Sequence, residues 1–344
     1  MLNIPKNYHP ALNFIESEKA IKFIKDSFQK SLSEQLNLIR VTAPLFVLRE
    51  SGYNDNLNSV ERPVEFTVDA LGGKIAEVVH SLAKWKRICL ADYDFKENEG
   101  LYTDMNAIRR DEELSNIHSI YVDQWDWEKI INKNDRNIGT LKDIVNKIYT
   151  AIRNVEINVI NTYPKLGKAV LPDQITFIHS QELLDMYPNL SPKERESEFA
   201  KKHGAIFIMG IGSKLSNSQE HDLRAPDYDD WTTKNDDGFL GLNGDIILYN
   251  PVLNNAFEVS SMGIRVNKEA LEKQLELCSA TDRKTLPWHK RLLNQELPQT
   301  IGGGIGQSRL CMFFLRKAHI GEVHSSLWPK DMIEECKKNN ILIL

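Results

Sequence analysis

Residues Arg109–Glu128 read RRDEELSNIHSIYVDQWDWE. The second half has strand character, because Ile120, Tyr121 and Val122 favour a pleated backbone. Alternation sends Ile120, Val122, Gln124, Asp126 and Glu128 to one face. Ser119, Tyr121, Asp123, Trp125 and Trp127 go to the other. One face therefore runs from aliphatic to acidic, and the other carries two tryptophans beside an aspartate. Carboxylates on a strand are costly unless they are paired or bound to cations, so this strand needs partners.

Working outward, GLYTDMNAI (100–108) is a strand of its own, and the two make a hairpin. That hairpin folds Arg109 back over the sheet, above Gln124 and Asp126. Further upstream, Phe14, Ile15, Ile21, Ile24, Phe28, Leu32 and Leu36 form the apolar stripe of a helix over Leu12–Leu38. The strand-like run IRVTAPLFVL follows, with Pro44 expected at an edge or a break. VEFTV and KIAEVVHS complete what reads as an antiparallel meander without intervening helices. Downstream the spacing predicts a long helix over Thr140–Tyr163 and short buried strands at QITFI and AIFIMGI. Ser191, Pro192 and Glu194 between them are a helix start, with N-cap, first-turn proline and capping-box acid. DIILYNPVL and AFEVSSMGIRV pair through a turn at Asn254 and Asn255, and Asn267 caps a helix to Leu277. Gly302 to Gln307 opens a last helix from Ser308 to about Ala318. The expected fold class is α+β with a largely antiparallel sheet, as a single domain spanning 1–344.

The composition suits a soluble globular chain: of 344 residues, 41% are hydrophobic and 26% charged. A net charge of −5 argues against a protein that coats nucleic acid. No run of eighteen apolar residues suggests a membrane span. Four cysteines, far apart and without a CxxC pair, fit a reducing cytoplasm better than a disulfide framework. The nine histidines form no HExxH or HxH pattern that would suggest zinc.

Several stretches can carry chemistry. IGGGIGQSRL (301–310) is not a dinucleotide loop, since Gln307 stands where GxGxxG needs its last glycine. Its glycines permit close approach to a bulky group, and Arg309 in the first helical turn can fork onto a phosphate. Tight strand–helix packing with a surface arginine is the alternative. HSLAKWKR clusters Lys84, Lys86 and Arg87, as a binding cluster or as a basic helix start. Asp229 lies in APDYDDW, Asp245 in LNGDIILYNP and Glu258 in AFEVSSMGIR. Asp245 and Glu258 are suited to hold Mg²⁺ on a phosphate chain, or else to pair with arginines of the sheet.

Taken in order, these pieces resemble the three motifs of class II aminoacyl-tRNA synthetases. The first helix with IRVTAPLFV is similar to motif 1, the hairpin at 109–128 to motif 2, and IGGGIGQSRL with its helix to motif 3. HSLAKWKR, GEGLY, VDQWDWE, LPDQI, HSQELL, RAPDYDDW, GLNGDI, SSMGIR and PQTIGGGIGQSRL further resemble the ammonia-dependent asparagine synthetases, the A-type aspartate–ammonia ligases, from about Phe23 to Trp328. The resemblance implies a class II synthetase-like core, a homodimer through motif 1, and no partner nucleic acid or membrane. It implies ATP, aspartate and ammonia as substrates, with Mg²⁺. The side-chain carboxylate of aspartate attacks the α-phosphorus of ATP, and ammonia then displaces AMP from the β-aspartyl adenylate.

Charge suggests the roles. Arg109 and Arg309 face phosphate, Lys86 a substrate carboxylate, Asp126 the α-ammonium, and Gln124 the reacting carboxylate or the adenylate. By resemblance, Ser81 and Ser261 join the substrate-binding set, and Ser119, Asp229, Asp245 and Glu258 the ATP-binding set. Also by resemblance, Asp55 takes a proton from ammonium. The chain opens Met1-Leu2, not with the N-terminal cysteine of a glutaminase module, so free ammonia is the expected donor. The competing reading is a related enzyme that makes an aminoacyl-adenylate for a tRNA or protein acceptor; no stretch is left over for an anticodon-binding barrel.

Overall fold

The computed structural model describes residues 2–54 and 61–344. The strands of the described residues are β1 (Leu38–Arg40), β2 (Phe46–Leu48), β3 (Glu65–Val68), β4 (Lys74–Val78), β5 (Gly100–Ile108), β6 (Tyr121–Ile130), β7 (Thr176–His179), β8 (Ala205–Met209), β9 (Asn243–Asn250), β10 (Asn255–Ile264) and β11 (Thr300–Gly306). The helices are α1 (Phe14–Leu36), α2 (Ala83–Asp92), α3 (Ile138–Thr162), α4 (Ser180–Met186), α5 (Pro192–His203), α6 (Lys268–Leu277), α7 (Pro287–Leu293), α8 (Gln307–Phe314) and α9 (Lys330–Lys338).

Eight strands form one sheet in the order β1-β5-β6-β11-β10-β9-β8-β7, and β2-β4-β3 form a small second sheet. The large sheet is antiparallel except at its two edges, where β1 pairs with β5 and β7 with β8 in parallel. The expected meander is therefore corrected. The run IRVTAPLFVL breaks around Pro44 into β1 and β2, which join different sheets, and α2 intervenes before β5.

Local chemistry accounts for the helix ends. Asn13 and Glu16 close a capping box on α1, and Ser191 with Glu194 does the same on α5, where Pro192 takes the first turn. Along α1, Ala20, Ile24, Phe28, Leu32 and Leu36 recur every fourth residue and are all fully buried. This stripe packs with α3 in the core that also holds Trp125 and Trp127. Phe28 lies against Trp125 with ring centroids 4.6 Å apart. Burying each large side chain of this kind contributes about 1.5–3 kcal/mol, which fixes the tryptophan face of β6 inward. The opposite face of β6 is left to α2 and to the cavity described below.

Strand β11 carries the four glycines expected at a helix entrance, and α8 starts only at Gln307 and stops at Phe314. In β10 the pairing with β9 slips by one residue between Glu258 and Ser260. This bulge places Glu258 on the same side of the sheet as Ser261, although they are three residues apart.

Candidate active site

A cavity of about 460 Å³ lies over the centre of the large sheet. Its floor is made by β6, β11 and β10 in register: Gln124 faces Gly306, Asp126 faces Gly304, and Gly304 faces Ser261. Glycine in β11 is a requirement of close approach. A Cβ on Gly304 would stand 2.3 Å from Oε1 of Gln124, and one on Gly302 would stand 2.0 Å from Oε2 of Glu128. The Gln124 side chain thus lies flat across the glycine strand.

Of the residues expected in the site, Ser81, Arg109, Ser119, Gln124, Asp126, Asp229, Glu258, Ser261 and Arg309 all line this cavity. Asp245 stands behind it, ion-paired with Arg224, which does line it. Asp55 lies outside the described residues.

Lys86, expected to face a substrate carboxylate, is fully buried beneath the floor. Its ammonium pairs with Asp126 and donates to the carbonyls of Trp127 (2.9 Å) and Gly303 (3.3 Å). With its donors engaged by protein acceptors, Lys86 orients Asp126, whose other oxygen accepts from the backbone N–H of Leu82 at 3.2 Å. The alternative of a basic helix start is met, since α2 begins at Ala83, but the segment is not solvated. Lys84, Lys86 and Arg87 are all buried on α2.

Beside this pair runs a second buried chain of charge. Glu128 accepts from Arg265 Nε (3.0 Å) and Nη2 (2.8 Å) and from the Thr300 hydroxyl (2.7 Å), and Arg265 pairs in turn with Asp229. Burial would raise the Glu128 carboxyl, but the charges of Arg265 and Lys86 outweigh it and hold it below the ordinary carboxylate range. Asp229 is pushed up by burial against the pull of Arg265. Arg265 was missed in the sequence, although it ends the AFEVSSMGIR strand and shares parity with Ser261 on the floor.

At the other end, the cavity is rich in cations that lack full partners. Arg309 Nη1 donates to the Glu258 carbonyl at 2.8 Å and Nε to the Ile117 carbonyl at 3.4 Å; among the described residues it has no ion pair. Among the described residues the one ion pair of Arg109 is with Glu112, at 3.8 Å, and its Nε is buried without a hydrogen-bond partner, as is that of Arg224. Unsatisfied buried donors on cations aimed at a cavity are what an anionic ligand requires. The same field acts on His118 in the cavity wall: burial, with the charges of Arg309 and Arg109, pushes it down to about 4, so its imidazole is neutral at pH 7.

The fit of a divalent cation rests on Glu258 and Asp245. Among the described residues the carboxylate of Glu258 has no contact ion pair, while Arg309 and Arg224 outweigh its burial and keep it ionised. Burial and the charge of Glu258 push Asp245 upward, against Arg224. No cluster of three or more potential ligands occurs among the described residues. Of the two, Glu258 faces the cavity and is the carboxylate that could hold Mg²⁺ with phosphate and water, while Asp245 stands behind it engaged by Arg224.

On the reverse face, Asp123 is paired in the core. It accepts from the Ser308 N–H (3.0 Å) and hydroxyl (2.9 Å) and from Lys25 (3.0 Å). A carboxylate on the first turn of α8 anchors the helix that carries Arg309.

Gly304→Ala is expected to displace the Gln124 amide and lower aspartate-dependent turnover by roughly 10²-fold, as a misplacement of about 1 Å does. Steady-state kinetics on the folded variant would check this, and near-normal turnover would refute the packing argument.

The comparisons agree with the motif reading. The family model of aspartate–ammonia ligase matches residues 15–340. The chain is 57% identical to an aspartate–ammonia ligase of Clostridium perfringens over 343 residues, covering 100% of this chain and 99% of that one. It is 56% identical to an aspartate–ammonia ligase of Parabacteroides distasonis over 340 residues, covering 99% and 98%. Among solved structures, the asparaginyl-tRNA synthetase of Pyrococcus horikoshii complexed with asparaginyl-adenylate is similar with a TM-score of 0.66 at 14% identity, over 91% of this chain and 70% of that one. The Entamoeba histolytica asparaginyl-tRNA synthetase with the same adenylate gives 0.65 at 13% identity, over 90% and 66%. At such identities the likeness is one of fold, the class II synthetase fold.

Proposed function

The chain belongs to the aspartate–ammonia ligase family, and on that premise we propose that its cavity makes asparagine from aspartate, ammonia and ATP in two steps. The observation that supports this most is the division of one cavity into two ends. Underpartnered arginines occupy one end, and a glycine-paved floor bearing Gln124 and an oriented Asp126 occupies the other.

In the first step an oxygen of the aspartate side chain attacks the α-phosphorus. The bond to the bridging oxygen breaks, and its electron pair leaves with pyrophosphate. Arg109 and Arg309 stabilise the charge that spreads over the phosphoryl oxygens. Asp126, held by Lys86, receives the α-ammonium, and Gln124 donates to the carboxylate as it becomes the acyl group. Mg²⁺ bound by Glu258 would neutralise charge on the phosphate chain. Ser81 and Ser261 extend the aspartate end, and Ser119 and Asp229 the nucleotide end.

In the second step ammonia adds to the activated carbonyl and AMP departs. Asp55 is assigned to take the proton of ammonium, and Asp55→Asn should slow this step more than adenylation. Equal losses in both steps would count against that role.

Protein given ATP, Mg²⁺, aspartate and ammonium should yield AMP and asparagine in equal amounts. Formation of ADP, or turnover that does not need ammonium, would overturn the reading. We further assign the chain to the cytoplasm, as a single catalytic domain that dimerises through α1 and β1; sedimentation as a monomer would contradict the dimer. Among the described residues no helix is long and apolar enough to cross a membrane.

A further inference from the structure

We propose that Lys193, on α5 and outside the three synthetase-like motifs, supplies a third cation to the departing pyrophosphate. The inference rests on the adenylate reading and names a residue that sequence patterns did not single out.

Lys193 lines the same cavity as Arg109, Arg309 and Glu258, as the second residue of α5. Its ammonium is held at 3.2 Å from Glu196 and 3.7 Å from Asp222. Glu196 is itself buried and fixed by His221, whose Nε2 lies 3.0 Å from the same carboxylate oxygen. The lysine is therefore held at its tip by two carboxylates while its side chain stays 68% exposed where it lines the cavity. A substrate cation would be buried on the floor; a cation at the rim suits the part of ATP that must leave.

Arg309, Arg224, Lys193 and Arg109 all line the one cavity with Glu258, which is the candidate Mg²⁺ carboxylate. With its side chain 68% exposed against 26% for Arg109, Lys193 would meet pyrophosphate from the solvent side of the cavity. As the bond from the α-phosphorus to the bridging oxygen breaks, the new negative charge appears on pyrophosphate, and a lysine there stabilises the leaving group. The tether to Glu196 and Asp222 keeps Lys193 charged and near without fixing it on the product, so release stays possible.

Product inhibition separates this role from a general loss of the site. In Lys193→Ala the inhibition constant for inorganic pyrophosphate should rise roughly tenfold, as expected for one charge-assisted contact. The constant for AMP and the KM for aspartate should stay within about twofold, well below the effect of one such contact. Lys193→Arg should restore most of the pyrophosphate affinity. Unchanged pyrophosphate inhibition in Lys193→Ala, or equal weakening of AMP and pyrophosphate, would overturn the proposal. Absence of ATP–pyrophosphate exchange in the unaltered protein would instead overturn the adenylate reading itself.

Discussion

Arg309→Ala should lower aspartate-dependent ATP–pyrophosphate exchange by about 10³-fold, the scale of removing a preorganised cation from a phosphoryl-transfer site. Among the described residues the guanidinium is held by the carbonyls of Glu258 and Ile117 and by no carboxylate. It is also preorganised: α8 is anchored through Asp123 and Ser308 one residue earlier, which fixes where Arg309 starts. Arg309→Lys should recover little, because the two carbonyl contacts use a planar fork that an ammonium lacks. Circular dichroism must show a folded variant, and a loss below tenfold would remove Arg309 from the phosphate-binding set.

The largest effect on stability is expected at Glu128. It is fully buried and bonded to Arg265 and Thr300, with the Lys86 ammonium at 3.7 Å. Glu128→Ala leaves Arg265 with one carboxylate, Asp229, and Lys86 with one, Asp126. Truncating one partner of a buried charge network costs about 3–5 kcal/mol, readable as a shift in the denaturant midpoint at pH 7. A change under about 1 kcal/mol, a normal surface effect, would show that the network is not what holds the floor.

The acid dependence follows with a definite sign. The folded Glu128 carboxyl lies below its ordinary value. Its stabilising contribution is therefore complete above the unfolded carboxyl pKa of about 4.3 and is lost as pH falls through the depressed folded value. The unaltered protein should lose stability on acidification in that window, and the Glu128→Ala protein should lose less.

Much of this architecture was legible from alternation. The period-two pattern of 119–128 sent Trp125 and Trp127 to the core and Gln124 and Asp126 to the cavity, which is where they lie. The capping signals at Ser191 and Asn267 were local and read correctly. What local pattern could not give were contacts made across the chain. Lys86 looked like a solvent-facing or substrate-facing cation, because its partner Asp126 is forty residues away. Gly302, Gly303, Gly304 and Gly306 read as the entrance to a helix; the floor needs Gly302 and Gly304 because the side chains of Glu128 and Gln124 lie against them. Arg265 and Lys193 stood in or near quoted stretches, but only the fold brings them to one cavity.

The slipped register in β10 has a consequence for how the site can change. An ordinary strand would send residues 258 and 261 to opposite sides, one into the core and one into the cavity. The extra residue, Val259, shifts the phase, so one strand brings Glu258, Ser261 and Arg265 to the same cavity. The make-up of the cavity is thus encoded in strand length as well as in side-chain identity. Deleting Val259 would remove the bulge yet leave Glu258 two positions from Ser261, on the same face, whereas one residue inserted between Ile246 and Ile247 of β9 would pair Val259 and send Glu258 and Ser261 to opposite faces. A single added codon in the neighbouring strand is thus expected to part these two side chains without altering any residue of β10.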